Sequence, residues 1–461
     1  MNNELKKKYG LLTAICMVAG IVIGSGVFFK ATSVFENNGG SMLKSILTVL
    51  VVGLIMIICT YTFSILADKH SKVNGLVDYA EGECGTGFAY AAGWFASTIY
   101  YPVIGSTLAW ISANYTCSLF EISNVNATIL IAVAYLTLSL LLNVFSPKIS
   151  GKFQVSTTAI KLVPLTVMAI VGTIVGISNG QTLENLTADT TAIASTSGGF
   201  FGAVVAFAFA YEGWIIATCI NAELHNPKKN LPRALVIGSL IVIAVYVSYF
   251  IGISSVLSSD EIIAAKSNLP KIAFTELFGG NAVFGTIAYV FIIISCLGTT
   301  NGVMLGACRG FYSIAVRNQG PAPSKIAKVD EKSNMPILSS LLGFGVSALW
   351  MLQWEFGLIR GQLPAIISFE NDELPIITLY AFYIPIFVSL MIKSKGMHPI
   401  KRFVFPGLAV LACLFMIFCA FYAYGIEAFY YLFVFAVIMF IGLMFYRDKK
   451  GRSVIYRFFY K

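Results

Sequence analysis

GIVIGSGVFF, residues 20–29, places three glycines (Gly20, Gly24 and Gly26) inside an otherwise apolar helical pattern. Each costs a helix interior about 1 kcal/mol relative to alanine, and what that cost serves depends on whether water or lipid surrounds the helix. The rest of the chain answers the question. Of its 461 residues 57% are hydrophobic and 11% charged, with a mean hydropathy of +0.80, whereas soluble domains carry about 25% charged residues. Apolar runs long enough to cross about 30 Å of hydrocarbon recur at 11–35, 42–66, 84–114, 127–145, 153–177, 199–222, 233–257, 282–316, 336–353, 371–392, 403–424 and 427–446. These twelve, runs 1 to 12, predict an all-α polytopic membrane protein.

Basic residues orient it. With a cytoplasmic amino terminus, the even-numbered connections and both tails carry Lys6, Lys7, Lys8, Lys69, Lys72, Lys148, Lys152, Lys228, Lys229, Arg233, Arg309 and Arg317, and the tail 447–461 adds more. The opposite side has only Lys30, Lys44, Lys266, Lys271 and Arg360. Lys and Arg concentrate on the cytoplasmic side of membrane proteins, so the net charge of +9 reads as orientation in a cell membrane and not as a nucleic-acid surface. His70, His225 and His398 all fall in connections, and the cysteines show no C-x-x-C pairing. No metal or nucleophile set remains inside the runs, which predicts no cofactor, no metal and no enzyme. A membrane sensor is the rival outside transport, but it would need a soluble output domain, and the longest connections, near 178–198, 257–281 and 317–335, are too short for one.

In lipid, backbone left without an internal partner is tolerated only against protein or a water-filled cavity. A break at Gly24, Ser25 and Gly26 would expose N–H groups at the start of an outer half-helix, where the dipole favours a carboxylate. The carbonyls that end the inner half, around Ala19 to Ile23, would attract a cation. One break thus suits both ends of a zwitterionic amino acid. The competing explanation is close helix packing through the Gly20/Gly24 spacing. Run 6 carries a second irregularity, FAFAYEGW, with Glu212 and Gly213 in its apolar middle, and an intramembrane carboxylate usually faces the interior. At 1.5 Å per residue both irregularities fall near midplane, in runs of opposite direction five apart, as in an inverted repeat that binds substrate between two broken helices. Lys161 stands alone about 14 Å into run 5. It is either a fixed or switchable cation at the level of the break, or a tie between helices with no part in transport.

GIVIGSGVFF, FAFAYEGW followed by NPKKNLPRA, Lys161, and ISCLGTTNG at 294–302 together resemble the amino acid–polyamine–organocation superfamily, close to its L-type amino acid transporter branch. The resemblance covers essentially the whole chain. It implies a five-plus-five inverted repeat, with discontinuous helices 1 and 6 and two additional helices: a cytoplasmic tail 1–10, a first repeat 11–178, a second, inverted repeat 199–392, two further helices in 400–446, and the basic cytoplasmic tail 447–461. It also implies that Gly24, Ser25 and Gly26 hold the substrate carboxylate, that the carbonyls of Ile21, Phe207 and Ala210 take its ammonium, and that Phe209 is an aromatic gate. Lys161 would fill the place of sodium in coupled relatives, facing Gly20, Ser295 and Thr299. Tyr100, Val103, Ile104 and Cys296 would shape the side-chain pocket. Glu212 departs from the many relatives that carry a small residue there; it either faces the pocket or pairs with a polar group on another run. The expectation is a sodium-independent secondary transporter of small or neutral L-amino acids working by alternating access, exchange being weighed against a proton-coupled amino acid or polyamine permease. Its partners are an amino acid and the lipid bilayer; the oligomeric state is left open, a monomer being compatible.

Overall fold

The computed structural model describes residues 7, 9–24, 26–69, 75–188 and 198–447. Ser25, most of the amino-terminal tail and the basic tail beyond Arg447 lie outside the described residues. Among them the regular structure is helical, with two isolated bridges, Tyr9 with Leu224 and Asp330 with Met335.

Eleven helices among the described residues are long and apolar enough to cross a membrane, one fewer than the twelve expected. The missing one is run 3. It is helical over Thr86–Phe95, Ala96–Tyr100 and Tyr101–Leu119, the middle piece a π-helical turn, but it is rich in Ser, Thr, Tyr and Gly. Nearly every residue from Tyr101 to Cys117 is buried in protein, and a helix shielded from lipid need not be apolar all round. Run 3 also begins later than expected. Gly75–Cys84 forms a separate helix that ends before Gly85, whose φ of 90° turns the chain into Thr86. Run 10 likewise begins at Pro375, not 371, which frees the acidic stretch before it. The connection 257–281 is not bare chain: it holds helices Ser259–Ala265 and Leu269–Leu277.

Two helices are interrupted in mid-course. Run 1 is helical over Leu11–Val22, turns extended at Ile23 (φ −72°, ψ 90°) and resumes at Gly26–Phe29. Run 6 is helical over Gly199–Tyr211, extended at Glu212 (φ −76°, ψ 164°), left-handed at Gly213 (φ 102°), and continues as a 3-10 helix over Trp214–Glu223. Both sit in the protein interior. In run 6, 89% of the apolar window is buried, against 17% for the last helix, Ile426–Phe445, so the broken helices are sheltered from lipid while the last helix faces it. That is where interrupted backbone can survive.

Candidate functional site

The two breaks lie against each other. A Cβ on Gly26 would come within 2.5 Å of the Ala210 Cα, and one on Gly213 within 2.8 Å of the Ile21 side chain. Gly26 is therefore required first by helix contact, and any room for a carboxylate comes second to that. Gly24 packs on the Thr299 side chain, where a Cβ would fall 2.9 Å from Oγ1.

Lys161 answers the end of the inner half-helix. Its ammonium donates to the carbonyls of Gly20 (2.6 Å) and Ile23 (2.5 Å) and to Thr299 Oγ1 (3.0 Å), using all three of its protons. The Thr299 hydroxyl lies 3.2 Å from each of the same two carbonyls. Ser295 enters only through its backbone: its carbonyl lies 3.3 Å from Thr299 Oγ1, while its own buried hydroxyl has no partner among the described residues. The expected hydroxyl contact between Ser295 and Lys161 is thus not made.

Tyr246, which sequence reasoning passed over, ties the breaks together. Its buried hydroxyl sits 2.9 Å from the Val22 carbonyl and 3.0 Å from that of Ala210, and its single proton serves one of them at a time. The Ala210 carbonyl, expected to take an ammonium, is therefore shared with Tyr246. The Phe207 side chain packs among Tyr211, Tyr246 and Phe250.

Glu212 pairs with phenols. Tyr100 donates to its carboxylate at 2.7 Å and accepts from the Gly213 N–H at 3.2 Å, and Tyr380 bonds the same carboxyl. Tyr100, which ends the π-helical turn of run 3, thus props the break in run 6 through its hydroxyl. Val103, Ile104 and Cys296 are buried in the chain's core.

Both faces of the bundle are clasped. On the face opposite the amino terminus, Lys30 pairs with Glu373 (2.5 Å) and Asp372 (2.7 Å), Tyr424 donates to Glu373, and the Lys30 ammonium lies 5.6 Å from the Phe209 ring. A cavity of about 460 Å³ lies there, lined in part by Phe29, Lys30, Glu370, Glu373 and Tyr424. Burial alone would lower the Lys30 pKa, but the carboxylates of Asp372, Glu373 and Glu370 hold it above its ordinary value. Burial, with Asp372 beside it, raises the Glu370 carboxyl to about 9. On the amino-terminal face the Tyr9 N–H donates to the Glu223 carbonyl (3.1 Å) and the His225 N–H to the Tyr9 carbonyl (2.8 Å). Arg309 pairs with the Glu223 carboxylate at 2.7 Å, both side chains being buried.

The bundle brings two helix breaks together with a buried lysine at one of them, and comparison with known proteins shows the family. Residues 9–445 match the family described as amino acid permease. The chain belongs to that family. Within the amino acid–polyamine–organocation superfamily the permease stands near the L-type branch. It is 30% identical to the serine/threonine exchanger SteT of Bacillus subtilis (strain 168), over 89% of its own length and 90% of the relative's. It is 24% identical to the cystine/glutamate transporter of Homo sapiens, over 91% of its own length and 81% of the relative's. It is also 30% identical to the large neutral amino acids transporter small subunit 2 of Homo sapiens, over 76% of its own length but 64% of the relative's. The permease is a multi-pass membrane protein of an amino acid transport family, not of an enzyme family.

Proposed function

We propose that this permease moves small or neutral L-amino acids across the cell membrane by alternating access, exchanging one for another without sodium. The observation that carries this reading is the ammonium of Lys161, which donates to Gly20, Ile23 and Thr299 and so stands where an inorganic cation would otherwise bind the end of a half-helix. The breaks at Ile23–Gly24 and Glu212–Gly213 supply the substrate's partners. N–H groups of Gly24 to Gly26 receive the carboxylate, and the carbonyls of Ile21 and Phe207, with that of Ala210 shared with Tyr246, receive the ammonium. Glu212, tied to Tyr100 and Tyr380, holds the run 6 break in shape and leaves the pocket without a fixed charge. That favours neutral side chains beside Val103, Ile104 and Cys296.

The repeats 11–178 and 199–392 give the two interrupted helices their opposite directions. The helices of 400–446 lie outside the repeats, and both termini are cytoplasmic by the distribution of Lys and Arg. The names of the relatives, an exchanger of serine and threonine and a transporter of large neutral amino acids, support the substrate class.

Competition for uptake into proteoliposomes tests the binding mode. Free serine, threonine and leucine are expected to compete, while their methyl esters and amides are not, because blocking the carboxylate removes what the exposed N–H groups recognise. Equal competition by the blocked analogues would contradict it.

A further inference from the structure

Two buried side-chain amides have nothing to bond. Gln154 is 2% exposed and Asn221 1% exposed, yet neither the oxygen nor the nitrogen of either amide has a hydrogen-bond partner among the described residues. Other buried amides do: Asn143 and Asn301 bond each other, Asn185 reaches the carbonyls of Ser254 and Leu257, and Asn371 bonds Gln353. A buried amide without a partner forfeits its hydration with nothing in return.

The location of the two is shared. Gln154 lies seven residues, or about two helical turns, from Lys161 toward the amino-terminal face. Its amide fits a slot between two glycines: Nε2 is 2.9 Å from where a Gly20 Cβ would be, and Oε1 is 3.2 Å from where a Gly302 Cβ would be. Asn221 lies two residues before Glu223, whose carbonyl accepts from the Tyr9 N–H just ahead of run 1. Both therefore border the inner half of run 1, Leu11–Val22.

We propose that Gln154 and Asn221 line the path by which substrate leaves toward the amino-terminal face. They are shut off from bulk solvent while the inner half of run 1 lies against them and open to it once that half swings away. Their unmet polarity disfavours the closed arrangement and biases the carrier toward opening on that side. The inference rests on the alternating-access reading.

The sign of one substitution tests it. Gln154→Met keeps the volume while removing the polar group, so the closed arrangement gains. The reporter is Ala14→Cys, buried in this arrangement, in a protein whose half-exposed Cys16 and Cys84 are changed to Ala. It is labelled in proteoliposomes by a maleimide presented from the amino-terminal face. Gln154→Met is expected to slow labelling at least about fivefold, the low end for an unmet buried amide, with thermal stability kept or raised. Asn221→Leu is expected to act in the same direction and replaces it if Gln154→Met fails to fold. If Gln154 were instead a structural anchor, its loss would lower stability and speed labelling, and unchanged or faster labelling overturns the proposal. Saturating L-serine separates the two levels. If the reporter with Gln154 intact does not respond to serine, alternating access fails and the proposal with it; if it responds but Gln154→Met has no effect, only the role of the amides fails.

Discussion

At the scale of single residues, Lys161 was legible because a lone charge deep in an apolar run has few excuses. The structure adds which atoms it serves. Lys161→Ala leaves the Gly20 and Ile23 carbonyls with the one proton of Thr299 between them, and hydrogen bonds to a charged donor are worth about 1.5–3 kcal/mol each. Exchange should fall more than tenfold while the protein still purifies as a folded species, which uptake and melting curves read together. Tyr246 was not legible, since one tyrosine among many apolar and aromatic neighbours in AVYVSYF gives no sign that its hydroxyl reaches two broken helices. Tyr246→Phe removes one bond, a net loss of about 1 kcal/mol, and is expected to slow exchange severalfold with little change in melting temperature. An unaffected rate would mean that the bridge between Val22 and Ala210 is incidental. Ser295 shows the opposite error: the type of residue was suggestive, but only its backbone contributes.

At the scale of elements, the Gly-Ser-Gly and Glu-Gly irregularities marked where helices 1 and 6 stop, because glycine inside a lipid-embedded helix is conspicuous. What each break packs against was hidden, as it depends on helices hundreds of residues away. Gly213 has φ 102°, and a Cβ there would strike Ile21. Gly213→Ala pays about 1–2 kcal/mol for the left-handed backbone in addition to the collision. It should abolish uptake and lower the melting temperature by several degrees, whereas a fully active variant would mean that the turn is not needed. The acidic clasp on the opposite face was missed because 371–373 read as the start of run 10. Its Glu370 has a pKa raised from 4.5 to about 9, so the clasped arrangement binds the extra proton. The contribution of Glu370 to clasping is then fully present below about pH 4.5 and is lost as pH rises toward 9, and a mouth that opens lets Glu370 return to its ordinary value. Labelling of a cysteine at Ser33, in the cavity wall, should rise with pH across that window, and Glu370→Gln should flatten the profile. A profile that is already flat in the unaltered permease would remove Glu370 from control of the clasp.

At the scale of the whole molecule, membrane class and the ring of apolar helices followed from composition, since lipid demands apolar surface wherever a helix meets it. Run 3 escaped the count for the same reason in reverse: a helix enclosed by protein is released from that demand, and its Ser, Thr and Tyr bond within the bundle, as Tyr100 does to Glu212. The central claim joins all three scales. It is the proposal that Lys161 holds the place of a coupling cation at the break of helix 1, so that the permease exchanges neutral amino acids without sodium. The most direct test is initial uptake of labelled serine into proteoliposomes preloaded with unlabelled serine, with all sodium replaced by choline on both sides. The account predicts an unchanged rate, and far slower uptake into vesicles left empty. A steep loss of uptake on removing sodium would contradict it.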